Sequence, residues 1–301
     1  MVTVLITGGN GLIGRNLSKK LLERGYEVSV LSRSSKPARG CKVFLWDPEH
    51  QQLEDEAIDT ADYIIHLAGE NIGSKRWTAK RKKEIIDSRV LTAKLLYDKV
   101  IERKRSIQAF ISASATGYYG MVTADKVFIE TDLPSDDFTG TTCRQWEEVA
   151  SGFQKADIRT VIIRTAVVLD KQNEALSKMI FQIKAGVGAA VGSGRQYLPW
   201  IHISDLCSIY IKALEDNNMS GVYNAVAPEQ ITNKEFMKKL SMVLHKPFWL
   251  PNIPAFFLKI IFGEMSGLLL EGSRISSEKI QAAGFEFVYP GLENALKNIL
   301  K

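Results

Sequence analysis

A short apolar segment that runs directly into a cluster of glycines opens the chain and constrains its fold more than any other feature. Residues 2–6 show almost no polar alternation, as expected of a strand that is buried on both faces. Gly9, Gly11 and Gly14 follow with the spacing G-x-G-x-x-G, and an amphipathic run then extends to Arg24. The order strand, glycine turn, helix predicts the first βα unit of a parallel α/β sheet.

The glycine turn is typical of a site for the pyrophosphate of a dinucleotide. Glycines at these positions allow a tight turn, close approach of the backbone to phosphate, and close packing of the helix on the strand. The helix N-terminus then offers unpaired amides to the anion. The alternative is a glycine turn in some other kind of α/β protein. The residues expected to contact the cofactor here are Gly8, Gly9, Asn10, Gly11, Leu12, Ile13 and Gly14.

The end of the second strand selects between two dinucleotides. This strand ends at Ser32 and Arg33, where the residue that contacts the adenosine ribose belongs. A carboxylate there would accept a hydrogen bond from the 2′-hydroxyl of NAD, whereas an arginine pairs with the 2′-phosphate of NADP. No acidic residue stands at this point, so Ser32 and Arg33 predict NADP(H). The alternative is that Arg33 is an ordinary solvated charge.

Apolar strands and helices continue to alternate after the opening unit, which predicts a Rossmann-type, doubly wound parallel sheet of the α/β class. Asp205 is expected to cap the N-terminus of a helix over 206–214. We expect a dinucleotide-binding domain over 1–169 and 201–226, and a smaller, mostly helical substrate lobe over 170–200 and 227–301. Further strands are predicted over 28–31, 43–45, 63–67, 109–112, 160–164 and 221–226.

Charge and cysteine content exclude several classes of partner. Of the net charge of +5, an excess of +8 falls within 75–105, which could indicate nucleic acid. Apolar residues interleave there with helical spacing, however, which favours an amphipathic helix packed on a core. Three widely spaced cysteines favour neither a disulfide framework nor a metal site. We expect no targeting peptide, because the first strand begins at residue 2. We expect no membrane partner, because the apolar stretch 254–270 is short and charged. The expected protein is therefore cytoplasmic, with no nucleic-acid partner.

Further motifs carry a resemblance to a known family. One strand runs through Leu67 into the small residues Ala68 and Gly69, which would let a cofactor lie close to the backbone. With Ser-Ala-Ser-Ala at 112–115 and Tyr-Tyr-Gly at 118–120, the chain resembles extended short-chain dehydrogenases/reductases. It is most similar to their atypical branch labelled epimerase family protein, a group of poorly assigned activity. The resemblance implies a Rossmann domain that holds NADP(H) and a C-terminal substrate lobe. Other matching stretches are 70–72, 76–78, 88–90, 146–147, 200–202 with Asp205, and 227–228.

The catalytic pattern of that superfamily is incomplete here. Ordinary members use a Ser, and a Tyr and Lys spaced Tyr-x-x-x-Lys, to move a hydroxyl proton during hydride transfer. Ser114 falls at the Ser position, but Cys143 and Glu147 stand where Tyr and Lys belong. Tyr118 and Tyr119 are the remaining candidate proton donors, with core packing as the alternative for each. A nucleophilic Cys143 is less favoured because no adjacent base is visible.

The remaining candidates lie on the basic helix and in later loops. Arg89 is expected to reach the pyrophosphate or a ribose of the cofactor, and Glu84, one turn earlier, a ribose hydroxyl; both residues as surface charges are the alternative. The backbone at Val168 is expected to face the nicotinamide amide. Arg195 and Gln196 are expected to hold an anionic substrate.

Three functions remain open. The leading hypothesis is an NADP(H)-dependent oxidoreductase that acts on an unknown small-molecule substrate through Ser114 and a tyrosine. The alternative is a cofactor-bound sensor or scaffold without turnover, because the Tyr-x-x-x-Lys pair is replaced by Cys143 and Glu147. A sugar-nucleotide epimerase is least favoured, since transient oxidation of a sugar hydroxyl relies most directly on the absent base. The oligomeric state stays open.

Overall fold

A mostly parallel sheet organises the fold in the computed structural model, which describes residues 2–35 and 40–301. The strands of the described residues are β1 (Thr3–Thr7), β2 (Glu27–Ser32), β3 (Lys42–Asp47), β4 (Gln52–Leu53), β5 (Tyr63–His66), β6 (Ala109–Ala115), β7 (Val127–Phe128), β8 (Arg159–Thr165), β9 (Val167–Leu169), β10 (Trp200–His202), β11 (Gly221–Ala225) and β12 (Arg274–Ile275). Eight of them form the main sheet in the spatial order β11-β8-β6-β5-β1-β2-β3-β4, and in it only β4 is antiparallel to its neighbour.

The strand order reverses between β1 and β5, because the chain adds strands first on one side of β1 and then on the other. This confirms the predicted Rossmann-type, doubly wound sheet. The two small sheets pair β9 with β10 and β7 with β12. The helices are α1 (Leu12–Glu23), α2 (Glu56–Asp59), α3 (Ala79–Glu102), α4 (Phe138–Ser151), α5 (Glu174–Lys184), α6 (Ile203–Glu215), α7 (Asn233–Val243), α8 (Ala255–Phe262), α9 (Gly267–Leu270), α10 (Glu278–Ala282) and α11 (Leu292–Leu300).

Apolar side chains cover both faces of the sheet. Val4 and Ile6 of β1 pack in one core with residues of α1 and α6. Leu5, between them, packs in a second core with residues of α3 and α4. All three side chains are fully buried, which explains why the strand shows no polar alternation. The basic segment noted in the sequence becomes the amphipathic helix α3.

A third apolar core lies in the C-terminal part, where α5, α7 and α11 pack together. Residues from 170–200 and from 227–301 both contribute to this core. Within the described part of the chain, no helix combines the length and the apolar character that crossing a membrane requires.

The start of α6 corrects one expectation. Its N-cap residue is His202, whose Nδ1 accepts a 3.1 Å hydrogen bond from the amide of Ser204. Asp205 lies inside the helix and is fully buried. The prediction that Asp205 caps this helix is therefore wrong; its carboxylate accepts hydrogen bonds from a segment far along the chain.

Candidate functional site

The carboxyl ends of β1 and β5 form a crevice where the strand order reverses, and open sheets of this kind bind ligands at that point. Thr7, the last residue of β1, accepts hydrogen bonds at its Oγ1 from the amides of Leu67 and Ala68, each 3.1 Å long. The same hydroxyl lies 2.8 Å from Nδ1 of His66. These bonds hold the loop after β5 beside the glycine turn.

The glycine turn is shaped by close contacts that leave no room for side chains. Gly8 has a positive φ of +68°, and a Cβ atom there would lie 2.9 Å from the carbonyl carbon of Leu67. A Cβ atom at Gly9 would lie 2.5 Å from Cγ1 of Val30, and one at Gly14 would lie 2.6 Å from the Cα of Gly9. Packing of turn, strand and helix therefore requires these three glycines.

The N-terminus of α1 is open to an anion. Gly11 precedes the helix, no side chain caps it, and its first turn contains no acidic residue. The amide of Gly11 already donates to the carbonyl of Gly8, whereas the next amides, at Leu12 and Ile13, have no intrahelical acceptor. Both these amides and the helix dipole favour a negative charge. The geometry therefore fits a pyrophosphate group.

Charges of alternating sign run from the end of β2 to the start of α3. The exposed Arg33 lies with Nη1 4.0 Å from Oε1 of Glu70. Oε2 of Glu70 accepts a 3.1 Å hydrogen bond from the buried Arg81, which also donates to Glu84 over 3.1 Å. The carboxylate of Glu84 is therefore paired with the guanidinium of Arg81. Arg33 presents its guanidinium to solvent at the rim of the crevice, while Ser32 beside it is buried and lies 3.4 Å from Nδ2 of Asn10 in the glycine turn.

Arg89 packs against the loop that follows β5 and holds it by hydrogen bonds. Its Nη2 donates a 3.0 Å hydrogen bond to the carbonyl of Glu70, and its Nη1 donates over 2.9 Å to Ile85. A Cβ atom at Gly69 would lie 3.1 Å from Cζ of Arg89. Burial lowers the pKa of this guanidinium. Arg89 therefore forms part of the floor of the crevice.

A second group of polar side chains lies across the neighbouring strands. Ser114 of β6, Arg164 of β8 and Asn224 of β11 occupy the same register position, so their side chains point to the same face. Ser114 donates a 2.6 Å hydrogen bond to Oε1 of Glu147 on α4. Arg164 binds both oxygens of Glu147 through two 2.8 Å hydrogen bonds. The carboxylate at the usual lysine position is thus paired with a guanidinium in bidentate geometry.

The two candidate tyrosines lie in different environments. Tyr119 is buried, donates a 2.8 Å hydrogen bond to Oδ1 of Asn224 and accepts one of 3.0 Å from Arg164. Burial raises its pKa to about 12. Tyr118 is only partly buried, and its ring lies flat against Arg164, with Cζ 3.3 Å from the ring centroid. Of the two phenols, Tyr118 is the one that a ligand can reach.

Cys143 lies near this group but is fully enclosed. Burial, together with the charge of Glu147, raises the pKa of the Cys143 thiol to about 12. The thiol therefore stays protonated at neutral pH, which agrees with the low rank given to a nucleophilic cysteine. Among the described residues, no group of three His, Cys, Asp or Glu side chains is arranged to hold a metal ion.

The remaining predicted site residues lie outside the crevice and in different surroundings. Val168 lies in β9, paired in register with Ile201. Arg195 is exposed in the glycine-rich loop. Gln196 is buried, and its Nε2 donates to the carbonyls of Val191 and Leu269 over 3.0 and 2.9 Å. Its contact with a substrate stays a prediction. Through the bond to Leu269, Gln196 holds its loop against the C-terminal residues of the chain.

Arg164 and Asn224 were missed by sequence reasoning, although a signal existed. Each is a strongly polar residue near the end of a predicted buried strand, and such residues need partners when they are buried. Nothing in the spacing shows that the two lie side by side.

Comparison with known proteins places this geometry in context. Residues 4–225 match the NAD dependent epimerase/dehydratase family, and residues 253–299 match a domain of unknown function, DUF1731. The epimerase family protein YfhF of Bacillus subtilis is 35% identical over 302 residues, covering 99% of this chain and 98% of YfhF. The crystal structure of human epimerase family protein SDR39U1 (isoform 2) with NADPH is similar with a TM-score of 0.87, at 32% identity over 99% of both chains. A UDP-glucose 4-epimerase from Thermotoga maritima, solved with UDP-glucose, shares the fold with a TM-score of 0.80 at 19% identity, over 99% of this chain and 97% of that one.

Proposed function

Because the chain belongs to the NAD dependent epimerase/dehydratase family, we propose that it binds NADP(H) in the crevice between β1 and β5 and catalyses hydride transfer involving a small-molecule substrate. The observation that carries this proposal is the uncapped, acid-free N-terminus of α1 with the exposed Arg33 at the rim. The 32% identity to human SDR39U1, whose crystal structure contains NADPH, supports the choice of cofactor.

The assignment of residues to the cofactor follows from their places around the crevice. The glycine turn and the first amides of α1 hold the pyrophosphate, because they combine close backbone approach with a positive helix end. Arg33 pairs with the 2′-phosphate, since its guanidinium is exposed and makes one long ion pair, of 4.0 Å with Glu70, among the described residues. Bound NADPH would supply the hydride. Further residues assigned to the cofactor on this ground are Gly8, Gly9, Asn10, Gly14, Ser32, Leu67, Ala68, Gly69, Glu84 and Arg89. Val168 lies in β9, outside the crevice, and its contact with the nicotinamide amide stays a prediction from the sequence.

The chemistry of this chain's own residues centres on Ser114. Its proton is directed to Glu147, so its remaining oxygen lone pairs are available to accept a hydrogen bond from the hydroxyl of the alcohol that carbonyl reduction forms. The bidentate pair of Glu147 with Arg164 fixes that arrangement. Arg195, which is exposed, is assigned to an anionic group of the substrate.

Turnover is tested by following NADPH consumption with a panel of aldehydes, ketones and quinones. Ser114→Ala is expected to lower the rate at least about tenfold, because removing a positioned hydrogen-bonding group slows proton transfer by this order or more. Ser29→Ala is the matched control: Ser29 is also a buried strand serine, and its hydroxyl has no partner among the described residues. Equal rates in Ser114→Ala and wild type would contradict the proposed role of Ser114.

A sensor or scaffold without turnover is the second candidate. The observation that favours it is that the hydroxyls of Ser114 and Tyr119 are buried and already donate hydrogen bonds to protein oxygens. This function predicts tight NADPH binding, no consumption with any substrate of the panel, and a protein partner whose binding depends on the cofactor. Sugar-nucleotide epimerisation stays least favoured, and interconversion of epimers in a sugar-nucleotide panel would restore it.

A further inference from the structure

We propose that Tyr118 is the catalytic proton donor of this site and that Arg164, held by Glu147, is the positioning residue that supplies the positive charge of the absent lysine. This inference rests on the proposed hydride transfer. In the ordinary pattern of the superfamily the cation lies on the same helix as the tyrosine. Here the helix position carries Glu147, and the cation comes from β8 instead.

The guanidinium of Arg164 is fixed on every side. Nε and Nη2 donate to the two oxygens of Glu147, while Nη1 donates to Oη of Tyr119 over 3.0 Å and to the carbonyl of Glu130 over 3.1 Å. With 2% of its surface exposed, the side chain cannot swing towards a ligand. What remains free is the flat face of the guanidinium, and the ring of Tyr118 lies on that face.

Accessibility separates Tyr118 from the other hydroxyl groups. Ser114 and Tyr119 are 3% and 2% exposed, and each already donates its proton to a protein oxygen. Tyr118 retains partial exposure on the short 3-10 turn Thr116–Tyr119, which directly follows the strand that carries Ser114. Tyr118 therefore lies just beyond the carboxyl end of β6, close along the chain to Ser114, and keeps an exposed surface there.

The charges around Tyr118 favour its phenol as a proton donor. Burial raises the pKa of the phenol, Arg164 lowers it, Glu147 raises it and Arg144 lowers it. The phenol therefore keeps its proton at neutral pH, and the cation of Arg164 stabilises the phenolate once the proton has left.

The step is a proton transfer coupled to carbonyl reduction. The O–H bond of Tyr118 breaks, and its proton forms a new O–H bond on the substrate carbonyl oxygen while the carbonyl carbon accepts a hydride. The hydride comes from NADPH, which is oxidised to NADP⁺. Solvent then returns a proton to the phenolate.

The test measures the ionisation of Tyr118 itself, by NMR titration of protein labelled with ¹³C in the tyrosine rings. Tyr118→Phe identifies the resonance. The decisive comparison is Glu147→Gln against Glu147→Gln/Arg164→Gln, because the two proteins lack the same carboxylate and differ only in the guanidinium. Removing both members of a buried ion pair is also far less destabilising than removing one.

The double variant is expected to show a Tyr118 pKa higher than that of Glu147→Gln by at least about one unit, equivalent to a tenfold change in proton affinity. Glu147→Gln alone is expected to lower the Tyr118 pKa below that of wild type, because only a negative charge is lost. A packing role for Arg164 predicts no such pair of opposite shifts. Arg24→Gln, a change of an exposed arginine paired with Glu215, is the control and is expected to leave the Tyr118 pKa unchanged.

Equal Tyr118 pKa values in the two variants would overturn the inference. Carbonyl reduction by Tyr118→Phe at the wild-type rate would also overturn it. Failure of the wild type to bind NADPH would instead contradict the proposed function, and since the titration needs no cofactor, the two failures are distinguishable.

Discussion

Asp205 accepts a 2.9 Å hydrogen bond at Oδ2 from the amide of Tyr289, and a 3.0 Å bond at Oδ1 from the amide of Val288. Asp205 lies on α6, whose side chains pack against the main sheet. Tyr289 belongs to the segment that leads into α11 and packs against the C-terminal core. One buried carboxylate therefore joins the core that contains α6 to the C-terminal core.

Asp205→Ala is expected to lower the free energy of unfolding by about 2–4 kcal/mol, because the amides of Val288 and Tyr289 lose an acceptor that is itself fully buried. Asp205→Asn keeps one acceptor oxygen and is expected to cost less. Urea denaturation measures both, with Asp136→Ala, at an exposed aspartate, as the control. A loss below about 1 kcal/mol for Asp205→Ala would show that the carboxylate does not hold the C-terminal segment.

His66 is expected to make the stability of the protein depend on pH. The side chain is fully buried against Thr7, and burial lowers its pKa from 6.5 to about 4. The unfolded chain therefore binds more protons between these two values. The contribution of neutral His66 is complete above pH 6.5 and is lost as the pH falls towards 4, by an amount on the order of 3 kcal/mol.

Urea denaturation of wild type and His66→Gln across this pH range isolates that contribution. The difference in unfolding free energy between the two proteins is expected to shrink steadily as the pH falls, because glutamine does not titrate. A difference that stays constant with pH would mean that His66 ionises equally in the folded and unfolded states.

Gly14 and Gly11 are expected to respond differently to alanine. A Cβ atom at Gly14 would lie 2.6 Å from the Cα of Gly9, so Gly14→Ala is expected to lower the unfolding free energy by about 1–3 kcal/mol. A Cβ atom at Gly11 meets only the carbonyl of Gly8, at 3.2 Å. Gly11→Ala is therefore expected to weaken NADPH binding more than it weakens the fold.

Urea denaturation and nicotinamide fluorescence separate these two effects. Gly152→Ala is the matched control, because Gly152 has a helical φ of −58° and its nearest neighbour atom would lie 3.8 Å from the added Cβ. Equal losses of stability in Gly14→Ala and Gly11→Ala would contradict the different roles assigned to the two glycines.

Local patterns were sufficient to predict the fold. The strand predicted over 2–6 is Thr3–Thr7, and the helix begins at Leu12, directly after the glycine turn. Both depend on short-range chemistry: apolar continuity in a strand buried on both faces, and glycines where a side chain would clash. The alternation of such units is enough to define a doubly wound parallel sheet.

Contacts between distant segments were not predictable in the same way. Asp205 looks like a helix cap because that signal is local, whereas its partners lie more than 80 residues away. Ser114 was identified from a motif, but its link through Glu147 to Arg164 depends on the register of β6 against β8 and on the rotation of α4. Spacing along the chain carries no information on either.

The central claim is that the crevice beside Arg33 binds NADP(H), and the most direct test is a fluorescence titration of cofactor-free protein with NADPH and with NADH. Wild type is expected to bind NADPH more tightly than NADH. Arg33→Ala is expected to weaken NADPH binding about 10- to 100-fold, the size of one charge-assisted hydrogen bond, and to leave NADH binding unchanged. The control variant Arg24→Ala is expected to bind both nucleotides as wild type does. Equal affinities for the two nucleotides in wild type would contradict the role of Arg33, and no binding of either to the folded protein would contradict the account as a whole.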